Sequence, residues 1–417
     1  MKPNSVSLQP AGILLSKYVL GVAFLLLLLA AWAGQNVIVV LLGLGLAAAG
    51  LSWLWSLFSL KGVRCERQIS DRRLFPGEYL ELRLRLVNRK LLPLPWVRVT
   101  DEVPEGFLER AGVPEGTRPG FAQLARASSV LWYSAATWKY RLKCLRRGYY
   151  PLGPLTVVSG DIFGLYPRSA VQPGNDYFLV YPQLFDLEQT ALHSLFPLGE
   201  ARTSQRLFED PSRTVGIRDY HPGDGLRRIH WKASLRQGEL QVKVFEPSTT
   251  LKAAIFLGVD TFQRDGIWRG QDLELAISGA ASLAKSLIEK KSQVGLFSNA
   301  RLADSQRSAF VPVGGGPDQL LQILEHLAKA IPAFDQTFGA YFQDSRQALS
   351  LGTTLIFVSE RIPPEMAGVL VDLQERGFKI TVFQTASEAS DPMVAGIDFH
   401  CLSGLTEKAK TVAGVEA

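Results

Sequence analysis

Residues 216–246 read GIRDYHPGDGLRRIHWKASLRQGELQVKVFE, and no single period, helical or extended, accounts for all of them. His221-Pro222-Gly223-Asp224 has turn chemistry, because proline presets φ and glycine accepts positive φ. Asp224 can then cap a short helix whose apolar side carries Leu226, Ile229 and Ala233. Gln237-Gly238 ends that helix, and Leu240, Val242 and Val244 alternate with Gln241, Lys243 and Phe245 as a strand. What is left over is charge: Arg218, Arg227, Arg228, Lys232, Arg236 and Lys243, interleaved with Asp219, Asp224, Glu239 and Glu246.

Two readings of those cations stand side by side. One is an internal ion-pair lattice that pins the segment between two domains. The other is a surface for an acidic partner or a phosphate, which guanidinium groups grip bidentately. On the second reading the partner- or anion-binding residues are Arg218, Asp224, Arg227, Arg228, His230, Trp231, Lys232 and Arg236. Catalysis by His221 or His230 finds no activated nucleophile nearby. Trp231 reads as a packing anchor rather than a base-stacking platform.

Upstream, residues 18–33 are continuously apolar, and residues 37–60 are apolar apart from Ser52, Ser56 and Ser59. Gly34-Gln35-Asn36 separates them with turn chemistry. This pattern predicts a transmembrane helical hairpin in the lipid bilayer. Lys2 and Lys17 precede it, while Lys61, Arg64, Arg67, Arg72 and Arg73 follow, and the connecting turn has no charge. The positive-inside rule therefore predicts a multi-pass protein of the cell membrane with its N-terminus and soluble domains in the cytoplasm.

From residue 63 to 181 the period is two. Leu80, Leu82, Leu84 and Leu86 alternate with Glu81, Arg83 and Arg85, and Trp138, Tyr140, Leu142 and Cys144 alternate with Lys139, Arg141 and Lys143. Breaks at Phe75-Pro76-Gly77 and Gly153-Pro154 punctuate the strands, which predicts an antiparallel sandwich of immunoglobulin-like topology. Asp161 reads as a turn residue before Phe163-Gly164. Residues 182–215 are a polar connection expected to be a solvated loop.

After residue 251 short apolar runs alternate with amphipathic helices, the pattern of a parallel sheet wrapped on both sides. Strands are expected at 253–259, 293–297, 353–358, 379–383 and 398–402, with helices at 272–290, 318–330, 338–349 and 364–376. In such sheets ligands sit beyond the strand carboxyl ends, where Asp260 falls. Gly314-Gly315-Gly316 lacks a Walker Gly-Lys-Ser/Thr and reads as a turn, and His193, His326 and His400 are isolated.

The 417 residues are 47% hydrophobic and 20% charged, with a formal net charge of +6. That charge is too mild, and too well mixed with acids, for a dedicated nucleic-acid binder. Cys65, Cys144 and Cys401 have no metal-ligand spacing, and Cys144 falls on the apolar side of its strand.

The runs RDYHPGDGLRRIHWKASLR at 218–236 and LQVKVFE at 240–246 resemble the signature of the domain-of-unknown-function 58 family. RRGYY at 146–150 through DIFGL at 161–165 resembles it again. The family has no settled activity. The resemblance implies a membrane-anchored protein with a von Willebrand factor A-like domain, paired with a MoxR-type AAA+ ATPase and a transglutaminase-like membrane protein. In the von Willebrand factor A fold a metal site uses an Asp-x-Ser-x-Ser loop after the first strand. Here the loop is Asp260-Thr261-Phe262-Gln263-Arg264, so both serine positions are lost and only Asp260 and Thr261 remain as metal candidates. After the strand near 353–358 this chain has Ser359-Glu360, where many such domains offer an aspartate.

The expected architecture is thus two N-terminal transmembrane helices (1–60), an all-β immunoglobulin-like sandwich (61–181), a linker with the signature segment (182–250), and an α/β von Willebrand factor A-like doubly wound sheet (251–417). The expected function is a non-enzymatic membrane-anchored adaptor or scaffold without a cofactor. The alternative is an enzyme or binding protein for a phosphorylated or anionic ligand at the Arg-rich segment.

Overall fold

The structure, a computed structural model, describes residues 5–8, 17–107, 118–174, 176–186, 209–221, 228–247, 251–350, 352–385 and 397–402. Asp224, Arg227 and His193 lie outside the described residues. The chain divides into two compact units, Met1–Tyr181 and Pro182–Ala417.

The first unit opens with strand β1 (Ser5–Leu8) and helices α1 (Lys17–Trp32) and α2 (Asn36–Ser59). Gly34, at φ 70°, makes the turn between the helices. At 24 residues, α2 is long and apolar enough to cross a membrane; α1, at 16, is shorter. Strands β2 (Val63–Ile69), β3 (Arg73–Leu74), β4 (Tyr79–Asn88), β5 (Leu94–Pro104) and β6 (Phe121–Val130) follow. Then come β7 (Ala135–Lys143), β8 (Gly148–Pro151), β9 (Leu155–Ser159), β10 (Arg168–Gln172) and β11 (Tyr177–Val180). Their sheets have the orders β1-β10-β9-β5-β6, β2-β4-β7 and β3-β11-β8.

The period-two reading of β4 holds. Leu80, Leu82, Leu84 and Leu86 are all buried, and they share one core with Val97, Val99, Leu124 and Val157 of the five-stranded sheet. Each such side chain stabilises the fold by roughly 1.5–3 kcal/mol. Cys144 is buried as expected, and burial pushes its thiol up to about 11. Asp161 is the turn residue predicted: its carboxylate accepts from Phe163 N (3.0 Å) and Tyr166 N (2.7 Å). Not foreseen is a buried ion pair in which Arg67 grips both carboxylate oxygens of Asp101. Burial raises the Asp101 carboxyl, and the Arg67 guanidinium opposes that rise.

The last turn of α2 is tied to these strands. Arg168 Nε of β10 donates to Ser56 Oγ (3.3 Å), and Lys90 Nζ donates to the carbonyls of Phe58 and Ser59. A cation on those terminal carbonyls also offsets the negative end of the helix dipole. Burial pulls the Lys90 ammonium down to about 8.

In the second unit strand β12 (Glu209–Asp219), helix α3 (Trp231–Gln237) and strand β13 (Gln241–Pro247) form a ribbon. The strand β12 corrects the loop expected over 182–215, because residues 209–219 pair along β13. Next come β14 (Lys252–Leu257), β15 (Gln263–Arg264), β16 (Ile267–Trp268), α4 (Gly270–Glu289), β17 (Gln293–Leu302) and β18 (Ser308–Gly314). The unit continues with α5 (Pro317–Lys329), β19 (Ala330–Phe334), α6 (Phe338–Ser345), β20 (Thr353–Ser359), α7 (Pro364–Glu375), β21 (Ile380–Gln384) and β22 (Asp398–Cys401).

The large sheet runs β18-β17-β14-β20-β21-β22, with β14, β17, β20, β21 and β22 parallel and β18 antiparallel at the edge. Ala254 and Phe256 of β14 pack with Phe338 and Phe342 of α6 and with Met366 and Leu370 of α7. Ile255 and Leu257 point the other way, where α4 and α5 bury Ala280, Leu283, Leu287, Ile323 and Leu327. Covering both faces is what makes β14 read as an unbroken apolar run. The antiparallel β18 and β19 were not anticipated.

Candidate functional site

The signature ribbon is built from β12 and β13 paired antiparallel, with Ile217 opposite Lys243 and Asp219 opposite Gln241. The helix expected after Asp224 begins only at Trp231, because Ile229 is held extended in a bridge to Val242. His230, not Asp224, caps it: its Nδ1 accepts from Ala233 N at 3.1 Å. Gly238 ends the helix as predicted, at φ 77°, donating to Ser234 O at 2.9 Å. Behind the helix, Ile229 (5% exposed), Val242 and Ser234 are buried, and Ser234 Oγ accepts from Gln241 N at 2.9 Å.

The strand alternation also needs correcting. Leu240 is exposed, whereas Gln241 is buried and donates through Nε2 to Asp219 Oδ1 at 2.6 Å. A polar side chain goes inside here because a carboxylate receives it.

Trp231 is the larger correction. It is no packing anchor: it stands 63% exposed, and Leu235, one turn on, is 84% exposed. Lys232 and Arg236 repeat the same spacing beside them and are exposed too. Arg218 and Arg228 are exposed as well, with Arg218 Nη1 donating to Asp219 O at 3.0 Å and lying 3.5 Å from His221 Nδ1. The structure thus brings Trp231, Lys232 and Arg236 onto one solvent-facing helix. Among the described residues Lys232 and Arg236 pair with no carboxylate, so the internal lattice does not extend to them. Leu235 was missed, although its spacing of four from Trp231 was there to be read.

The ribbon has little catalytic equipment among its described residues. His230 Nδ1 is occupied as a cap, and the Ser234 hydroxyl donates to His230 O at 3.2 Å while accepting from Gln241 N. Neither is poised as base or nucleophile.

The second candidate region lies past the carboxyl end of β14. Asp260 is where the sequence placed it, but its oxygens are taken. Oδ1 accepts from Asn299 Nδ2 at 2.7 Å and Oδ2 from Phe338 N at 2.9 Å. Thr261 Oγ1 donates to Gly258 O at 2.7 Å and accepts from Glu360 N at 3.1 Å. The buried Glu360 carboxylate meets Arg269 Nη1 at 3.0 Å. Phe262 is buried and Arg264 exposed, so neither adds an oxygen. This donor set does not fit a hard divalent cation, and no group of three potential metal-ligating residues occurs among the described residues. Asn299 and Arg269 were not singled out from sequence; the polar Ser298-Asn299 pair ending an apolar run was the available signal.

Fold and site together define a chain with a membrane-length apolar helix, a β-rich unit, and a parallel α/β unit carrying a cationic ribbon. Residues 216–362 match the profile of the family described as "Protein of unknown function DUF58", in agreement with the family resemblance of the signature run. It is 28% identical over 280 residues to the protein described as "Uncharacterized protein YeaD" of Bacillus subtilis (strain 168), a match covering 66% of this chain. The match spans 65% of that relative, just under two thirds of its length. Among solved structures, the CARDB domain of the PF1109 protein from Pyrococcus furiosus is 9% identical, covering 28% of this chain and 86% of that one at a TM-score of 0.19. The C-terminal domain of wzt is 13% identical, covering 30% and 75% at a TM-score of 0.20. A β-glucosidase from Listeria innocua is 12% identical, covering 28% and 16% at 0.18. Scores of that size define no shared fold.

Proposed function

We propose that this protein is a non-enzymatic, membrane-anchored adaptor that docks a protein partner on its signature ribbon. The observation that supports this reading is the solvent-facing pair Trp231 and Leu235 on α3, flanked by Lys232 and Arg236. Tryptophan and arginine are the residues that most often carry binding energy at protein interfaces, and a large apolar side chain left in water has a cost that a partner removes. The partner that the family resemblance suggests is a MoxR-type AAA+ ATPase. On this reading the helical hairpin holds the protein in the cell membrane, the immunoglobulin-like sandwich sits at the cytoplasmic surface, and the von Willebrand factor A-like unit works without a metal.

The test is capture of the tagged full chain from membranes, comparing wild type with Trp231→Ser/Leu235→Ser and with Lys232→Glu/Arg236→Glu. A co-purifying AAA+ ATPase lost in both variants is the expected result. Retention of every partner in both variants removes the ribbon from consideration. Binding of inorganic phosphate that survives Trp231→Ser and vanishes in Lys232→Glu would favour the small-anion reading instead.

A further inference from the structure

The cytoplasm-facing end expected for α2 carries a groove of about 540 Å³. One helix face supplies Leu51, Leu54, Trp55 and Phe58, at the spacing that puts them in a row. Lys61 and Lys90 close the other end. The volume is that of a small-molecule site, which spans roughly 300–1,000 Å³.

We infer that this groove binds one anionic phospholipid, with an acyl chain along Leu51, Leu54 and Phe58 and its phosphate between the ammonium groups of Lys61 and Lys90. The inference rests on the reading of α2 as a membrane-spanning helix.

Two observations carry it. First, Leu51, Leu54 and Phe58 are exposed, yet they line a concave wall rather than a convex helix surface. A groove continuous with a membrane-length apolar helix opens onto acyl chains, so hydrocarbon is its natural filler. Second, the two cations lie at the level where α2 ends and headgroups begin. Lys61 Nζ lies 4.7 Å from the Phe58 ring centroid, and Lys90 Nζ is held on the Phe58 and Ser59 carbonyls. Lys90 comes from the β4–β5 connection, so the strands, not the helix alone, fix the spacing of the two charges. An apolar wall ending in paired cations is what a lipid phosphate with its chain requires; a zwitterionic lipid would bring a cation of its own against the lysines.

The experiment uses the full chain in detergent micelles, with bound lipid counted by native mass spectrometry. Phosphatidylglycerol, phosphatidylcholine of the same chains, and sn-glycerol 3-phosphate are titrated in separate arms. Phosphatidylglycerol should bind about thirtyfold tighter than phosphatidylcholine, an advantage of the size that two lysines at the headgroups confer. Glycerol phosphate, lacking the chain, should not bind measurably. Lys61→Gln, at an exposed position, should cut that preference about fivefold by removing one of the two charges, and Leu54→Glu should weaken both. Equal binding of the two lipids by the wild type overturns the inference, as does a preference untouched by Lys61→Gln. Tight binding of glycerol phosphate would overturn the lipid while leaving a phosphate site. Alkaline extraction of cell membranes is read in parallel: a protein released from the bilayer refutes the membrane reading, whereas one that stays but shows no lipid preference refutes only the groove.

Discussion

Asn299 Nδ2 donates to Asp260 Oδ1 across 2.7 Å, from the strand next to the one that Asp260 follows. Asn299 Oδ1 accepts from Val259 N at 2.8 Å, and its Nδ2 also donates to Gln336 O at 3.0 Å. One buried side chain therefore closes three chain segments around a carboxylate that would otherwise seek a cation. Millimolar magnesium or calcium is expected to leave the melting temperature of the full chain unchanged. Asn299→Ala is expected to cost about 1–3 kcal/mol by orphaning buried polar groups. A saturable rise of several degrees with metal, abolished by Asp260→Ala, would show that the carboxylate is available after all.

The ribbon predicts an inverted pattern of stability around two neighbouring residues. Ile229→Ala truncates a buried side chain on the residue whose backbone bridges to Val242 and should cost about 2–4 kcal/mol. Trp231→Ala, on the exposed side, should cost under about 0.5 kcal/mol. Hydrogen exchange along β12 and β13 reports both. Loss of protection in the tryptophan variant alone would mean that Trp231 packs inward.

In the β-rich unit, Arg67→Met leaves the Asp101 carboxylate buried without its guanidinium. The expected cost is about 3–5 kcal/mol, because a lone buried charge is worse than none. Arg67→Met with Asp101→Asn should recover part of that loss in denaturant unfolding. Equal destabilisation by the single and double variants would argue that Asp176, which meets Arg67 Nη1 at 3.3 Å, is the partner that matters.

Strand β1 pairs antiparallel with β10, Ser5 opposite Val171 and Leu8 opposite Arg168. That pairing places residues 5–8 in the β-rich unit, the arrangement a helical hairpin in the membrane would produce. A reporter fused after Ala417 is expected in the cytoplasm and one inserted at Gln35 on the opposite side. Protease cleavage of the C-terminal unit from outside intact cells would refute that topology.

His400 stacks on Phe383 with ring centroids 5.2 Å apart, and burial lowers its pKa below the ordinary 6.5, with Asp398 opposing. Between the lowered folded value and the ordinary unfolded one, the unfolded chain binds more protons, so stability falls as pH drops through about 6.5. Below the folded value the loss is complete. Melting temperatures at pH 7.5 and pH 5.5 should differ more for wild type than for His400→Phe. An identical pH response in the two proteins would remove His400 as a contributor.

Much of this architecture was legible in the order of residues. Strand β4 declared itself through four leucines at alternate positions, since a half-buried strand has no other way to be amphipathic. The parallel sheet was visible in its apolar runs and intervening helices, and Asp260 fell at the strand end where the reading put it. Gly238 announced the end of α3, because the left-handed conformation there suits a residue without a Cβ. The family resemblance was carried by the signature run and by the RRGYY and DIFGL stretches upstream of it.

Local pattern could not decide which way the signature residues face. Trp231 was assigned inward on its size and Ile229 to a helix on its spacing. The backbone instead holds Ile229 in a bridge to Val242, which delays the helix to Trp231 and turns the tryptophan outward. The fate of Asp260 was likewise set by Asn299 and the Phe338 amide, 39 and 78 residues away in sequence. The sequence by itself determined the leucine-alternating strand of the β-rich unit and the succession of parallel strands and helices after residue 251, because periodicity and turn chemistry are short-range properties. Only the tertiary structure decided which charges stay exposed and which carboxylates are already taken, because those outcomes depend on partners brought close by folding rather than by neighbourhood along the chain.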